Sequence, residues 1–159
     1  MSETTKVLDG LRRLVKALRE GSRAAEQELG LSGAQLFVLE ALKGEQSLSL
    51  QEVAERTHTH QSSVSVVVSR LVERGLVKRV RAKDDGRRLE LCLTARGEKL
   101  EARSPHAAQH KLIAAVNKLP LAQRRALGVA LNQVAESMDL PAAPAMFFEE
   151  TPRRKGGKS

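Results

Sequence analysis

Residues 53–77 read VAERTHTHQSSVSVVVSRLVERGLV, and this stretch decides the fold. Two short helical patterns flank a turn. The first begins after Ser49, a good N-cap, and holds Leu50, Val53 and Ala54. The second runs from about Gln61 to Arg74 and places Val64, Val67, Val68 and Leu71 on one side. Gly75 is positioned to end it as the residue after the cap. Helices that cross closely need a small residue at the contact, and Ala54 supplies one. The opposite side of the second helix carries Gln61, Ser62, Ser63, Ser65 and Ser69, side chains short and polar enough to meet base edges.

Outward from this unit the periods change. Val77 and Val80 sit in one strand pattern. Leu89, Leu91 and Leu93 alternate with Glu90 and Cys92 in another. Asp84-Asp85-Gly86 between them reads as a turn, giving a hairpin with a basic tip. Upstream, Val7, Leu8, Leu11, Leu14, Val15 and Leu18 form a helical stripe punctuated by Gly21 and stopped by Gly30. A second helix starts after Ser32, with Leu36, Phe37, Leu39, Ala41 and Leu42 leading to a turn at Gly44. Downstream, Thr94 caps a helix that continues toward Val116, with a kink or break expected at Pro105. Lys118-Leu119-Pro120 marks a turn. Leu121 to Met138 is a last amphipathic helix, with Leu127, Leu131, Val134 and Met138 on one side.

Composition narrows the partner. The 159 residues carry a formal charge of +8, which favours polyanions. The excess is local: Arg70, Arg74, Lys78, Arg79, Arg81, Lys83, Arg87 and Arg88 are opposed only by Glu73, Asp84 and Asp85. There are three Phe, no Trp and no Tyr, so no broad stacking platform for unpaired bases exists. Duplex DNA, read through groove edges and phosphates, is the better match. The single cysteine cannot form an internal disulfide. The start of the chain lacks a signal-peptide pattern, and no apolar run reaches the ~18 residues of a membrane span. A cytoplasmic protein with no membrane partner is expected.

With these residues in order, the chain resembles the MarR family of regulators. Residues 53–77 look like its recognition unit, and LSGAQLFVLEAL (31–42) like its second helix. DDGRRLELCLTARG (84–97) looks like its wing, with Asp85, Arg87, Leu93, Thr94 and Gly97 at the motif positions. The resemblance implies a mainly α fold with a small β-hairpin wing. It divides into an N-terminal dimerisation helix (1–30), a winged helix-turn-helix domain (31–97) and C-terminal dimerisation helices (98–148). Residues 149–159 are expected to be a disordered basic tail. Val66 departs from the pattern, standing where relatives often place a longer polar or basic residue. His60 occupies a slot usually held by a capping Ser or Thr.

Gln61, Ser62, Ser63, Ser65 and Val66 are then the expected major-groove residues, Val66 through an apolar contact such as a thymine methyl. Ser49, Arg70, Arg81, Lys83 and Arg88 would contact the DNA backbone, which positions without specifying. Arg87 resembles the family's wing-tip arginine, which enters the minor groove, where A·T-rich sequence favours an arginine. Asp85 would hold it by a carboxylate–guanidinium bond.

Other chemistry is thinly supported. His106 and His110, four apart, match a histidine pair used by zinc-sensing members of the family. The remaining ligands would have to come from Glu26, Glu28 or Glu40, and an ordinary polar helix face is the preferred reading. Cys92 reads as a plain strand residue. No nucleophile–base–orienter set emerges, so neither an enzyme nor a cofactor is expected.

One recognition helix reads only a few base pairs, so a homodimer on a pseudo-palindromic operator is expected. The first helix, the last helices and Met146-Phe147-Phe148 would form its interface. The resemblance implies a small effector, often an anionic aromatic, bound between that interface and the reading heads. No residue identifies it. The rival from another class is a winged helix used for protein contacts or for nonspecific architectural DNA binding.

Overall fold

The structure is a computed structural model that describes residues 1–104 and 107–142. Within them the order is α1 (Glu3–Leu29), α2 (Gly33–Leu42), α3 (Leu50–Arg56), α4 (Gln61–Glu73), β1 (Val77–Arg81), β2 (Leu89–Leu93), α5 (Ala95–Ala102), α6 (Ala108–Lys118) and α7 (Leu121–Ser137). Met146-Phe147-Phe148 and the basic tail lie outside the described residues, as do Pro105 and His106.

Local chemistry sets most boundaries. Ser32 and Ser49 each head a reciprocal capping box, with Gln35 and Glu52 as the returning side chains. Each box satisfies two amides that a helix start leaves orphaned. Gly30 and Gly75 take left-handed φ values of 65° and 70°, as residues that end α1 and α4 must. Thr94 caps α5 by accepting from the amide of Gly97 at 3.1 Å. The helix expected from Thr94 toward Val116 is two helices, α5 ending at Ala102 and α6 beginning at Ala108.

The core gathers around α2, which is buried on nearly every side. Phe37, Val38, Leu39 and Leu42 meet Val53 of α3, Val64, Val68 and Leu71 of α4, and Val77 and Leu91 of the hairpin in one cluster. The strands pair antiparallel, Val77 opposite Leu93 and Arg81 opposite Leu89. Leu48, just before α3, adds two backbone bonds to Leu91 (2.9 and 2.7 Å). The turn between α2 and α3 thus extends the wing sheet.

Two expectations from periodicity are revised. Gly21 does not interrupt α1; a Cβ there would stand 2.8 Å from the Ala108 Cβ, so glycine permits the close approach of α1 to α6. In β2, Cys92 is buried and Leu89 exposed, against simple alternation. Leu89 lies toward the wing tip, past the reach of the core, whereas Cys92 lies nearer the strand base, where it lines a hollow with Leu42, Gly44, Gln46 and Glu98.

The apolar stripe of α1 behaves differently along its length. Leu18 is buried, but Val7, Leu8, Leu14 and Val15 remain exposed. On α7 no residue is buried; Leu121, Leu127, Val129, Leu131 and Val134 all face outward.

Gly97 holds the corner between wing and α5. A Cβ there would collide with the Leu76 carbonyl, while Thr94 donates from its backbone to that carbonyl at 3.0 Å and from its hydroxyl to the Gly75 carbonyl at 2.6 Å. Gly97→Ala is therefore expected to lower unfolding free energy by about 1–3 kcal/mol, as other overpacking changes do; urea denaturation measures it. Ser49→Ala should cost about 1 kcal/mol by the same measurement. Hydrogen bonds from Ser49 hold the Glu52 carboxyl below its ordinary value of 4.5. Its contribution is thus complete above that pH and is lost as pH falls through the lowered value. The stability gap between wild type and Glu52→Gln should narrow on acidification over that window.

Candidate nucleic-acid interface

The rotation of α4 about its own axis is fixed by burial. Val64, Val67, Val68 and Leu71 are buried, which turns Gln61 and Ser62 fully outward and leaves Ser63, Ser65 and Ser69 half-buried along the edges. Val66 stands on the outer face, 53% exposed. His60 at the N-cap makes no side-chain capping bond. Arg70 is half-buried one turn further along. A polar ridge with one apolar residue at its middle therefore projects from the molecule.

The C-terminal end of α4 is tied to the helices beneath it. The Arg74 guanidinium donates to the Gly30 carbonyl at 2.7 Å and to Gln35 Oε1 at 3.1 Å. Arg96 in turn donates to the Arg74 carbonyl at 3.3 Å. Gln35 thus serves both the cap of α2 and the end of α4. Nothing in local sequence announces this strut, because its partners lie 39 and 44 residues away.

The wing is anchored at its base and charged at its tip. Ser47 donates from its hydroxyl to Glu90 Oε2, and Lys83 reaches Gln46 Oε1 at 3.2 Å. Arg81 donates to the Gly86 carbonyl at 2.9 Å and so braces the turn. Residues 83–89 are all exposed. The expected Asp85–Arg87 carboxylate–guanidinium bond is not what forms. Asp85 Oδ1 instead accepts from the Arg87 backbone amide at 3.0 Å, a local turn bond that the short Asp side chain reaches more easily. The guanidinium with carboxylate partners is Arg88, which meets Asp84 at 3.1 Å and Glu90 at 3.2 Å. Those neighbours push its pKa further up, Asp84 most. Among the described residues no ion pair holds the Arg87 side chain.

The remaining candidates fall elsewhere. Ser49 is half-buried at the start of α3. His110 is on α6, its ring edge-on to Phe37 at 4.7 Å and its Nε2 3.1 Å from Glu40 Oε2. Glu40 Oε1 accepts from the Ala107 amide at 2.7 Å. Glu40 therefore joins α2 to the start of α6. Among the described residues no group of three or more His, Cys, Asp or Glu is placed to hold a metal. No helix there is long and apolar enough to cross a membrane.

A hollow of about 530 Å³ opens between α1, α2 and α6. Leu14, Leu18, Leu36 and Leu112 supply apolar walls, and Lys111 and Glu20 supply charge. It lies where the exposed arm meets the compact head.

Known proteins share this arrangement. The sequence pattern of the MarR family matches residues 29–88. The HTH-type transcriptional repressor MdtR of Bacillus subtilis (strain 168) is 38% identical over 72 residues, 45% of this chain and 46% of that protein. The chain thus aligns with about half the length of that curated relative. Among solved structures, the PcaV transcriptional regulator of Streptomyces coelicolor, in complex with its natural ligand, superimposes with a TM-score of 0.56 at 28% identity. That likeness covers 87% of this chain and 97% of PcaV. A MarR/EmrR family regulator from Acinetobacter sp. ADP1 superimposes at 0.57 with 18% identity, over 87% of this chain and 99% of its own. The matched residues run from the end of α1 to the wing tip, the span that caps and burial assemble into one compact unit, and over that span the chain is similar to the MarR family and shares the winged helix-turn-helix fold of the solved regulators.

Proposed function

We propose that this protein is a transcriptional repressor that binds duplex DNA sequence-specifically, as a homodimer on a pseudo-palindromic operator, and is released by a small effector. The observation that carries this is the outward polar ridge of α4 standing beside an exposed cationic wing. Gln61, Ser62, Ser63, Ser65 and Val66 enter the major groove. Ser49, Arg70, Arg81, Lys83 and Arg88 track phosphates, and Arg87 reaches the adjacent minor groove with Asp85 shaping its turn.

Dimerisation is supported by the apolar faces that α1 and α7 leave outside the core. Exposed apolar area of that extent marks an interaction surface. The hollow between α1, α2 and α6 suits an effector with an apolar body and an anionic group directed to Lys111. Occupancy there would favour one spacing of the two heads over another, shifting a population rather than forcing a new state. The ligand-bound PcaV structure, over most of its length similar to this chain, supports an effector of some kind.

Selection of binding sites from random duplex DNA, followed by sequencing, is expected to enrich a palindrome with half-sites about one helical turn, ~10 base pairs, apart or a multiple of it. Binding with no preferred sequence would overturn the proposal in favour of an architectural role. Arg87→Ala should weaken operator binding and relax A·T preference at the flanks while leaving the melting temperature unchanged. Sedimentation equilibrium should give twice the 17.4 kDa chain mass, and Leu131→Asp with Val134→Asp should return it to the monomer value.

A further inference from the structure

We propose that Val66 reads the 5-methyl group of a pyrimidine near the middle of each half-site, so that the operator carries thymine there and accepts 5-methylcytosine better than cytosine. This rests on the DNA-reading role of α4 proposed above and deepens it.

The helix has five valines, and four of them serve the core: Val64, Val67 and Val68 are buried and Val72 is half-buried. Val66 alone is turned out, at the centre of the reading face. Its neighbours on that face, one turn away in either direction, are Ser62, Ser69 and Arg70. Ser62, Ser65 and Ser69 are short, so on the sides of Val66 away from Arg70 the helix surface stays low and a base edge can come up against the isopropyl group.

The chemistry then selects the base. In the major groove, adenine, guanine and cytosine present hydrogen-bonding groups, whereas thymine adds a methyl. A valine offers neither donor nor acceptor. Pressing it on the polar edge of another base strips water without replacement, which costs free energy. Against a methyl, the same contact removes apolar surface from water. Because χ1 of valine is already restricted in a helix, little side-chain freedom is lost on contact. Valine therefore both rewards the methyl and penalises its absence. 5-Methylcytosine presents a methyl at the same ring position.

The test uses the full chain and the operator obtained by the selection described above. Each thymine is replaced in turn, symmetrically, by deoxyuridine, which deletes only the methyl. One symmetry-related pair of positions should lose about fourfold in affinity per half-site, the factor that burying one such carbon group gives. Val66→Ala, and separately Val66→Ser, should bind thymine and uracil duplexes equally, with melting temperatures close to wild type because the residue is exposed. At the same positions 5-methylcytosine should bind more tightly than cytosine. Uracil tolerated at every position by the wild-type protein would overturn the inference, and so would a uracil penalty that persists in Val66→Ala. Either outcome leaves sequence-specific binding standing. A selection that enriches no sequence would sink both readings together.

Discussion

The burial of one side of α4 governs the rest of the molecule. Val64, Val67, Val68 and Leu71 sit against α2 and α3 in the central cluster, and each such side chain is worth about 1.5–3 kcal/mol over leaving it exposed. That sum is enough to forbid rotation of the helix about its axis. A slip of one position would bury Ser65 and expose Val67. The orientation of the polar ridge is thus a by-product of core packing. The serines need no contacts of their own to be held outward.

The wing depends on a second set of constraints, mostly backbone. Thr94 binds the start of α5 to the carbonyls of Gly75 and Leu76, and Gly97, lacking a Cβ, lets the Leu76 carbonyl approach, so the end of α4, the first strand and α5 meet at one corner. Leu48 pairs with Leu91 and Ser47 with Glu90, which fastens the hairpin to the turn leading into α3. Arg74 closes the frame from the other side. Ridge and wing are therefore parts of one body, and their spacing is set by the fold before the proposed DNA partner is met. Such preorganisation reduces the ordering cost of binding.

Charge on this body is arranged by pairing as much as by number. Arg88 is held by Asp84 and Glu90, while Asp85 is occupied with a backbone amide. The two acids of the turn thus act on different groups. Arg87, exposed at the tip, is left to act outward. At the opposite pole, Glu40 links the head to α6 through Ala107 and His110. The hollow beside α1 and α6 lies against this connection, so an occupant there would press on the joint between arm and head.

The amino-acid sequence by itself determined the helix ends, the hairpin and the order of elements, because these follow from short-range rules. Ser32, Ser49 and Thr94 cap within three residues of themselves, Gly30 and Gly75 adopt a backbone conformation other residues avoid, and the 3.6-residue period of α4 separates its two sides. It also marked the polar residues of α4 that are proposed to read DNA, since their polarity is anomalous only against that period. Tertiary structure alone decided what lies across each face. Gly21 reads as a breaker in sequence and is a contact point in space. Cys92 is covered and Leu89 is not, and Arg74 bridges residues far away along the chain. Each of these depends on which distant segment arrives within bonding distance. A local pattern can specify the face a residue shares but not the partner that meets it.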